Sequence, residues 1–213
     1  MDIRKYESII KNVTLFFGTE GSGLDLAVKN MDGTIKSYSK GEFLHMAGKA
    51  LRKFGLVLSG TVQVLSDDIN GERTIMASVS PGETFGESLC FLKKKNSPVY
   101  IYTSEGAVVL WLSAEKIKST EYYDRFTAMI AERALAMNNR IQILSKITLR
   151  EKLITYFTQL AHQNKSNTFN VPLNREDMAT YVGTNRSALS RELSNMKKEG
   201  LIDFYKASFK ILK

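Results

Sequence analysis

Cysteine occurs once in the 213 residues, as Cys90, and histidine twice, as His45 and His162. A lone thiol forms no internal disulfide, and it cannot by itself hold an iron–sulfur cluster or a structural zinc. Its neighbours Leu89 and Phe91 mark Cys90 as a small buried hydrophobe, with redox sensing as the alternative. Two histidines far apart in sequence support no Ser-His-Asp or Cys-His arrangement, and no glycine loop of the Walker type is present. The expectation is therefore a protein that is not an enzyme and has no metal site. No apolar run approaches the length of a membrane span, and Met1-Asp2-Ile3-Arg4-Lys5-Tyr6 lacks the apolar core of a secretory signal. These absences point to a cytoplasmic chain without a membrane partner.

What is present is unevenly placed positive charge. The net charge is +8, and the stretch from Thr148 to Lys213 holds 11 Lys/Arg against 6 Asp/Glu. A basic last third fits a polyanionic partner. Up to about residue 112, short apolar runs alternate with turn signals: Leu26-Ala27-Val28 before Met31-Asp32-Gly33, Leu56-Val57-Leu58 before Ser59-Gly60, and Val62-Gln63-Val64-Leu65 before Asp67 to Gly71. Thr74 to Ala77, Val99 to Tyr102 and Val108 to Leu112 continue the series. That spacing predicts an antiparallel β-roll of the jelly-roll kind. Metal-dependent cupin enzymes share such a roll, but His45 and His162 fall in different domains and supply no clustered ligands.

After Ala114 the pattern turns helical. From Tyr122 to Lys146 there is neither Pro nor Gly, and Thr127, Ile130, Ala134, Met137, Ile141 and Leu144 step by three and four residues. This is an apolar seam for a partner helix, with packing on the chain's own β-domain as the alternative. The expected organisation is α+β: a β-roll over 1–115, a dimerisation helix over 116–147 and a DNA-binding domain over 148–213.

The last domain is read from Leu173 to Leu193. Asn174 caps a first helix with Glu176 and Asp177 in its first turn, and Leu173 and Met178 are spaced as a hydrophobic staple. Gly183 suits a left-handed turn, and Asn185 caps a second helix. On that helix Leu189, Leu193 and Met196 share one face, while Ser187, Arg191, Ser194 and Lys198 lie opposite, flanked by Ser190 and Arg186. An apolar back with an Arg/Ser front is what reading a major groove requires, since Arg donates a bidentate pair to guanine. Leu201 to Leu212 reads as a closing hairpin, which makes the module a winged helix-turn-helix.

Roll, long helix and winged helix in this order resemble the Crp/Fnr superfamily of bacterial transcription regulators over essentially the whole chain. The carriers are Val57 to Val62, Pro81-Gly82-Glu83-Thr84-Phe85-Gly86-Glu87-Ser88, and Asn174 to Leu193. The resemblance implies a homodimer on a palindromic operator in double-stranded DNA, controlled by a small-molecule or redox signal, with RNA polymerase as a further partner. It assigns DNA contacts to Arg175, Asn185, Arg186, Ser187, Ser190, Arg191 and Lys206. It assigns effector contacts to Gly86, Glu87, Ser88, Ser97, Met137 and Asn138. Cyclic-nucleotide members carry an Arg-Ser or Arg-Thr pair where this chain has Asn96-Ser97, with Lys93, Lys94 and Lys95 as nearby substitutes. A phosphate without its arginine is poorly paired, so cyclic AMP is not the expected effector. The cysteine cluster of the iron–sulfur branch is missing, and His45 alone speaks against haem; the cofactor is unknown. Ser187 replaces a Glu that accepts from cytosine in the well-known branches, which predicts a different half-site. The alternative function is a cyclic-nucleotide-binding regulatory module.

Overall fold

The computed structural model describes residues 2–92 and 95–212. Two short helices open the chain, α1 (Glu7–Ile10) and α2 (Gly21–Asn30). The strands β1 (Thr34–Tyr38), β2 (Phe43–His45), β3 (Lys53–Gly60), β4 (Val62–Asp67), β5 (Arg73–Val79) and β6 (Thr84–Phe85) follow. After α3 (Glu87–Phe91) come β7 (Tyr100–Tyr102) and β8 (Ala107–Ser113). They form two four-stranded sheets, β1-β8-β3-β6 and β2-β7-β4-β5, in which every pairing is antiparallel. This is the expected roll, with one correction. Leu26-Ala27-Val28 is not a strand but lies in α2, because Leu24, Ala27, Val28 and Met31 repeat at helical spacing and are all buried.

The two faces of the first sheet differ. Phe54, Leu56, Leu110 and Leu112 are wholly buried on one face, with the Phe54 ring 5.3 Å from that of Phe126. On the other face, inside the roll, Phe85 packs edge-on against Trp111 at 5.3 Å, and Trp111 Nε1 donates to the Tyr38 hydroxyl at 2.9 Å. Aromatic rings occupy much of the roll's interior: a Cβ at Gly55 would stand 2.2 Å from the Phe85 ring.

Beyond the roll run α4 (Ala114–Ile117) and α5 (Tyr123–Leu144). The chain packs as two compact units divided within α5, Met1–Ile130 and Ala131–Lys213. Tyr122, Phe126 and Met129 belong to the core of the first unit, and Ile143 to that of the second. Most of the expected seam is left open: Met137, Ile141 and Leu144 are 66%, 59% and 41% exposed and Thr127 and Ala134 are exposed, while Ile130 packs against the first core. Packing on the chain's own β-domain accounts for Ile130 and leaves Met137 and Ile141 uncovered. Among the described residues no helix is long and apolar enough to cross a membrane.

The second unit continues with α6 (Leu149–Asn164), β9 (Thr168–Asn170), α7 (Arg175–Val182), α8 (Arg186–Lys198), β10 (Ile202–Tyr205) and β11 (Ser208–Ile211). The last three strands make a sheet in the order β10-β11-β9, the expected wing. Thr148 and Glu151 form a reciprocal capping box at the start of α6. Leu153, Phe157, Met178, Leu189, Leu193, Met196 and Phe209 build one core beneath α7 and α8.

Candidate nucleic-acid interface and effector cassette

Both helices of the helix-turn-helix are capped by an asparagine at the N-terminus. The Asn174 side chain accepts from the Glu176 and Asp177 amides at 2.9 Å, and Asn185 accepts from Ala188 N at 2.8 Å. Such caps contribute about 1 kcal/mol each. Between them Gly183 sits at φ +72°, a left-handed conformation that the chain reversal needs and that a side chain would strain. Leu189, Leu193 and Met196 are at most 1% exposed, so the back of α8 is anchored. Burial of each such side chain contributes about 1.5–3 kcal/mol.

The front is left open. Arg186, Ser187, Ser190 and Arg191 are exposed, and their side chains make no hydrogen bond or ion pair among the described residues. The carboxylates that would repel DNA are neutralised nearby. Arg150 on α6 donates from Nε to Glu192 at 2.6 Å and in a fork to Glu199 at 2.6 and 2.8 Å. Glu199 first and Glu192 second hold the guanidinium charged, and the same contact depresses the Glu199 pKa. Sequence reasoning passed over Arg150, which meets Glu192 of α8 and Glu199 just past its end, 42 and 49 residues away in the chain.

Three expected DNA contacts have local roles as well. The Asn185 side-chain oxygen is committed to the cap, and the residue is exposed. Arg175 lies over the Phe204 and Phe209 rings at 5.3 and 5.0 Å and donates to the Lys206 carbonyl at 3.2 Å. Burial lowers its pKa. Arg175 thus ties α7 to the wing, a role beside the phosphate contact expected of it. Lys206 stands exposed at the wing tip at φ +54°, with Nζ over the Tyr205 ring. Ser194 donates back to the Ser190 carbonyl at 2.9 Å.

In the first unit, Gly86 caps α3 at φ +83° and abuts Leu51, where a Cβ would come within 2.5 Å of Cδ2. Glu87 is 5% exposed and accepts from the Thr84 hydroxyl. That hydroxyl oxygen lies 4.0 Å from Met129 Sδ on α5. Thr84 sits within the segment singled out from sequence, yet nothing there distinguished it from its neighbours. Ser88 is exposed. Ser97 is 3% exposed, and its hydroxyl donates to the Val99 carbonyl at 3.1 Å while accepting from Val99 N at 3.2 Å. It closes its own loop. Met137 and Asn138 are exposed on α5 in the second unit. Lys93 and Lys94 lie outside the described residues, and Lys95 is exposed. Burial first, and the Glu87 charge second, push the Cys90 thiol up to about 12. That is the behaviour of the small hydrophobe rather than of a reactive thiol.

Known proteins share both halves. Residues 35–120 match the cyclic nucleotide-binding domain family, and residues 151–213 match the Crp-like helix-turn-helix domain family. The cyclic AMP receptor protein of Thermus thermophilus is 21% identical over 91% of this chain and 89% of its own. The transcriptional activator protein FnrL of Cereibacter sphaeroides is 23% identical over 84% of this chain and 76% of its own. Among solved structures, DNR from Pseudomonas aeruginosa superposes with a TM-score of 0.56 at 18% identity, covering all of this chain and 96% of that one. CprK in complex with OCPA gives 0.59 at 14% identity over 89% of each chain, a likeness of fold. With the roll, the long helix and the open-faced reading helix in the same order, this chain belongs to the Crp/Fnr superfamily of DNA-binding transcription regulators.

Proposed function

We propose that the chain acts in the cytoplasm as a homodimer that places two copies of α8 in successive major grooves of a palindromic operator, under the control of a signal received by the roll. The observation that carries this reading is the contrast on α8: a back face buried to 1% or less, and a front of Arg186, Ser187, Ser190 and Arg191 with no side-chain partner among the described residues. Arg191 and Arg186 are the donors suited to guanine, and Ser187 and Ser190 reach base edges or phosphates. The Asn185 amide and Lys206 add backbone contacts in this reading. The exposed apolar seam of α5 supports pairing, because a monomer would leave Met137, Ile141 and Leu144 in water. Two recognition helices about 34 Å apart then match one turn of DNA.

Control runs through α5. The Thr84–Glu87 pair touches Met129, so a change at the cassette of Gly86, Glu87 and Ser88 alters how the first turns of α5 pack, while Met137 and Asn138 stand farther along the same helix. Such a shift biases the pose of the two reading helices. Cyclic AMP remains disfavoured as the signal, since Asn96 stands where a phosphate-binding arginine is needed and the Ser97 hydroxyl is committed to its loop. Haem and iron–sulfur clusters are disfavoured on the same residues as before, and RNA polymerase is the further partner that the reading brings. The test is selection of binding sites from random duplex DNA with purified protein at stated salt. An enriched inverted repeat supports the reading. Absence of DNA binding by folded protein, at low salt and across candidate effectors, would remove it.

A further inference from the structure

We infer that the first unit carries a binding pocket for a small amphipathic anion, beside the cassette at Gly86–Ser88 and lined by the far end of α3, and that its floor reaches α5. A cavity of about 490 Å³ opens between the start of β3, α3 and α4. That size falls within the roughly 300–1,000 Å³ of small-molecule sites. Leu51, Cys90 and Ala114 are at most 8% exposed and, with Phe91 and Ala50, give it an apolar floor.

The rim is cationic. Arg52, Lys95 and Lys118 stand around the opening against the acid Glu115, because the other acid there, Asp32, is held by Lys53 at 2.7 Å. Among the described residues Arg52 and Lys95 make no ion pair, and Lys118 only lies over the Phe91 ring at 5.4 Å. Three cations around an apolar floor favour a carboxylate or other monoanion on a ring-sized apolar body, since charge-assisted bonds reward the anion and the floor rewards the body. A neutral analogue forfeits the first contribution and a free inorganic anion the second.

The floor is connected. Phe91 stacks on Phe126 of α5 with centroids 4.5 Å apart and planes 13° apart, and Phe126 also packs on Phe54. A ligand that presses on Phe91 therefore acts on the first turns of α5, which rests on the regulator reading only for its consequence at DNA.

The experiment titrates the full-length protein, labelled at alanine and methionine methyls, with 1-naphthaleneacetate and with its neutral isostere 2-(1-naphthyl)ethanol, without DNA. Expected are saturable shifts at Ala50 and Ala114, with Met129 responding, for the acid and not the alcohol. The double variant Arg52→Glu/Lys118→Glu, both at exposed positions, is expected to bind at least about tenfold more weakly with an otherwise unchanged spectrum. No shift up to millimolar acid, equal shifts by the alcohol, or equal affinity in the double variant would each overturn the pocket. Loss of operator binding in the selection experiment would overturn the regulator reading and leave this titration standing.

Discussion

The reading helix and the cassette both carry polar residues, and they use them in opposite ways. On α8 the polar side chains of the front have no partners among the described residues, while the acids behind them, Glu192 and Glu199, are held by Arg150. At the cassette the polar groups face inward: Glu87 is buried with Thr84 against Met129, and Ser97 is closed on Val99. A donor at the surface is satisfied by water until a ligand arrives, so it can read a ligand. A buried, satisfied pair resists ligand exchange and instead transmits packing. The reading helix thus offers its polar groups to a ligand, and the cassette turns its polar groups into packing.

The strongest loss should come from undoing the proposed pairing of two chains along α5. Ile141→Glu places a charge on the exposed seam and is expected to convert the dimer to monomer in sedimentation at micromolar concentration, with operator affinity lowered more than about a hundredfold. Next, Arg191→Ala removes an open-face donor and should weaken operator binding by about 10- to 100-fold in fluorescence anisotropy. Its melting temperature should stay within about 2 °C of the parent, because exposed side chains without partners contribute little to stability.

Gly183→Ala probes the same contrast from the scaffold side. An alanine at φ +72° costs about 1 kcal/mol, and its Cβ would lie 3.2 Å from Leu144 Cδ2, so the C-terminal unit should melt about 4–8 °C lower.

The Arg150 clamp predicts a pH signature. The Glu199 pKa is depressed below 4.5 in the folded state by the Arg150 hydrogen bond, so the native form binds fewer protons than the unfolded one. The contribution is present above pH 4.5 and is lost as pH falls through the lower folded value. Arg150→Met should therefore flatten the acid limb of a stability-versus-pH curve and lower stability at neutral pH, by more at low salt than at high. The weakest response is expected at Cys90. With a thiol pKa of about 12, iodoacetamide at pH 8 should leave native protein unmodified over hours and label it once unfolded.

Much of this was legible in the chain itself, and for stated reasons. Asn174, Gly183 and Asn185 are local signals, each needing only its neighbours along the sequence, and all three take the cap or turn position expected of them. The seam from Thr127 to Leu144 is likewise a matter of periodicity. What escaped depends on how the chain closes on itself. Leu26 to Val28 reads as a strand or a helix equally well over three residues, and only the burial of Leu24 and Met31 decides. The roles of Arg175 and Ser97 are hidden in a similar way: Arg175 meets Phe204 and Phe209 some thirty residues later, and the commitment of the Ser97 hydroxyl is set by how its loop turns. The Phe91–Phe126 stack joins α3 to α5 across a span that no local pattern encodes.

The most direct measurement compares wild type and Arg191→Ala on every single-base variant of the selected half-site. If the open face of α8 reads bases, the variant loses discrimination at one symmetry-related pair of positions and keeps it at the others. A uniform loss of affinity across all bases, or none, would contradict base reading by this helix and reduce Arg191 to a backbone contact or a bystander.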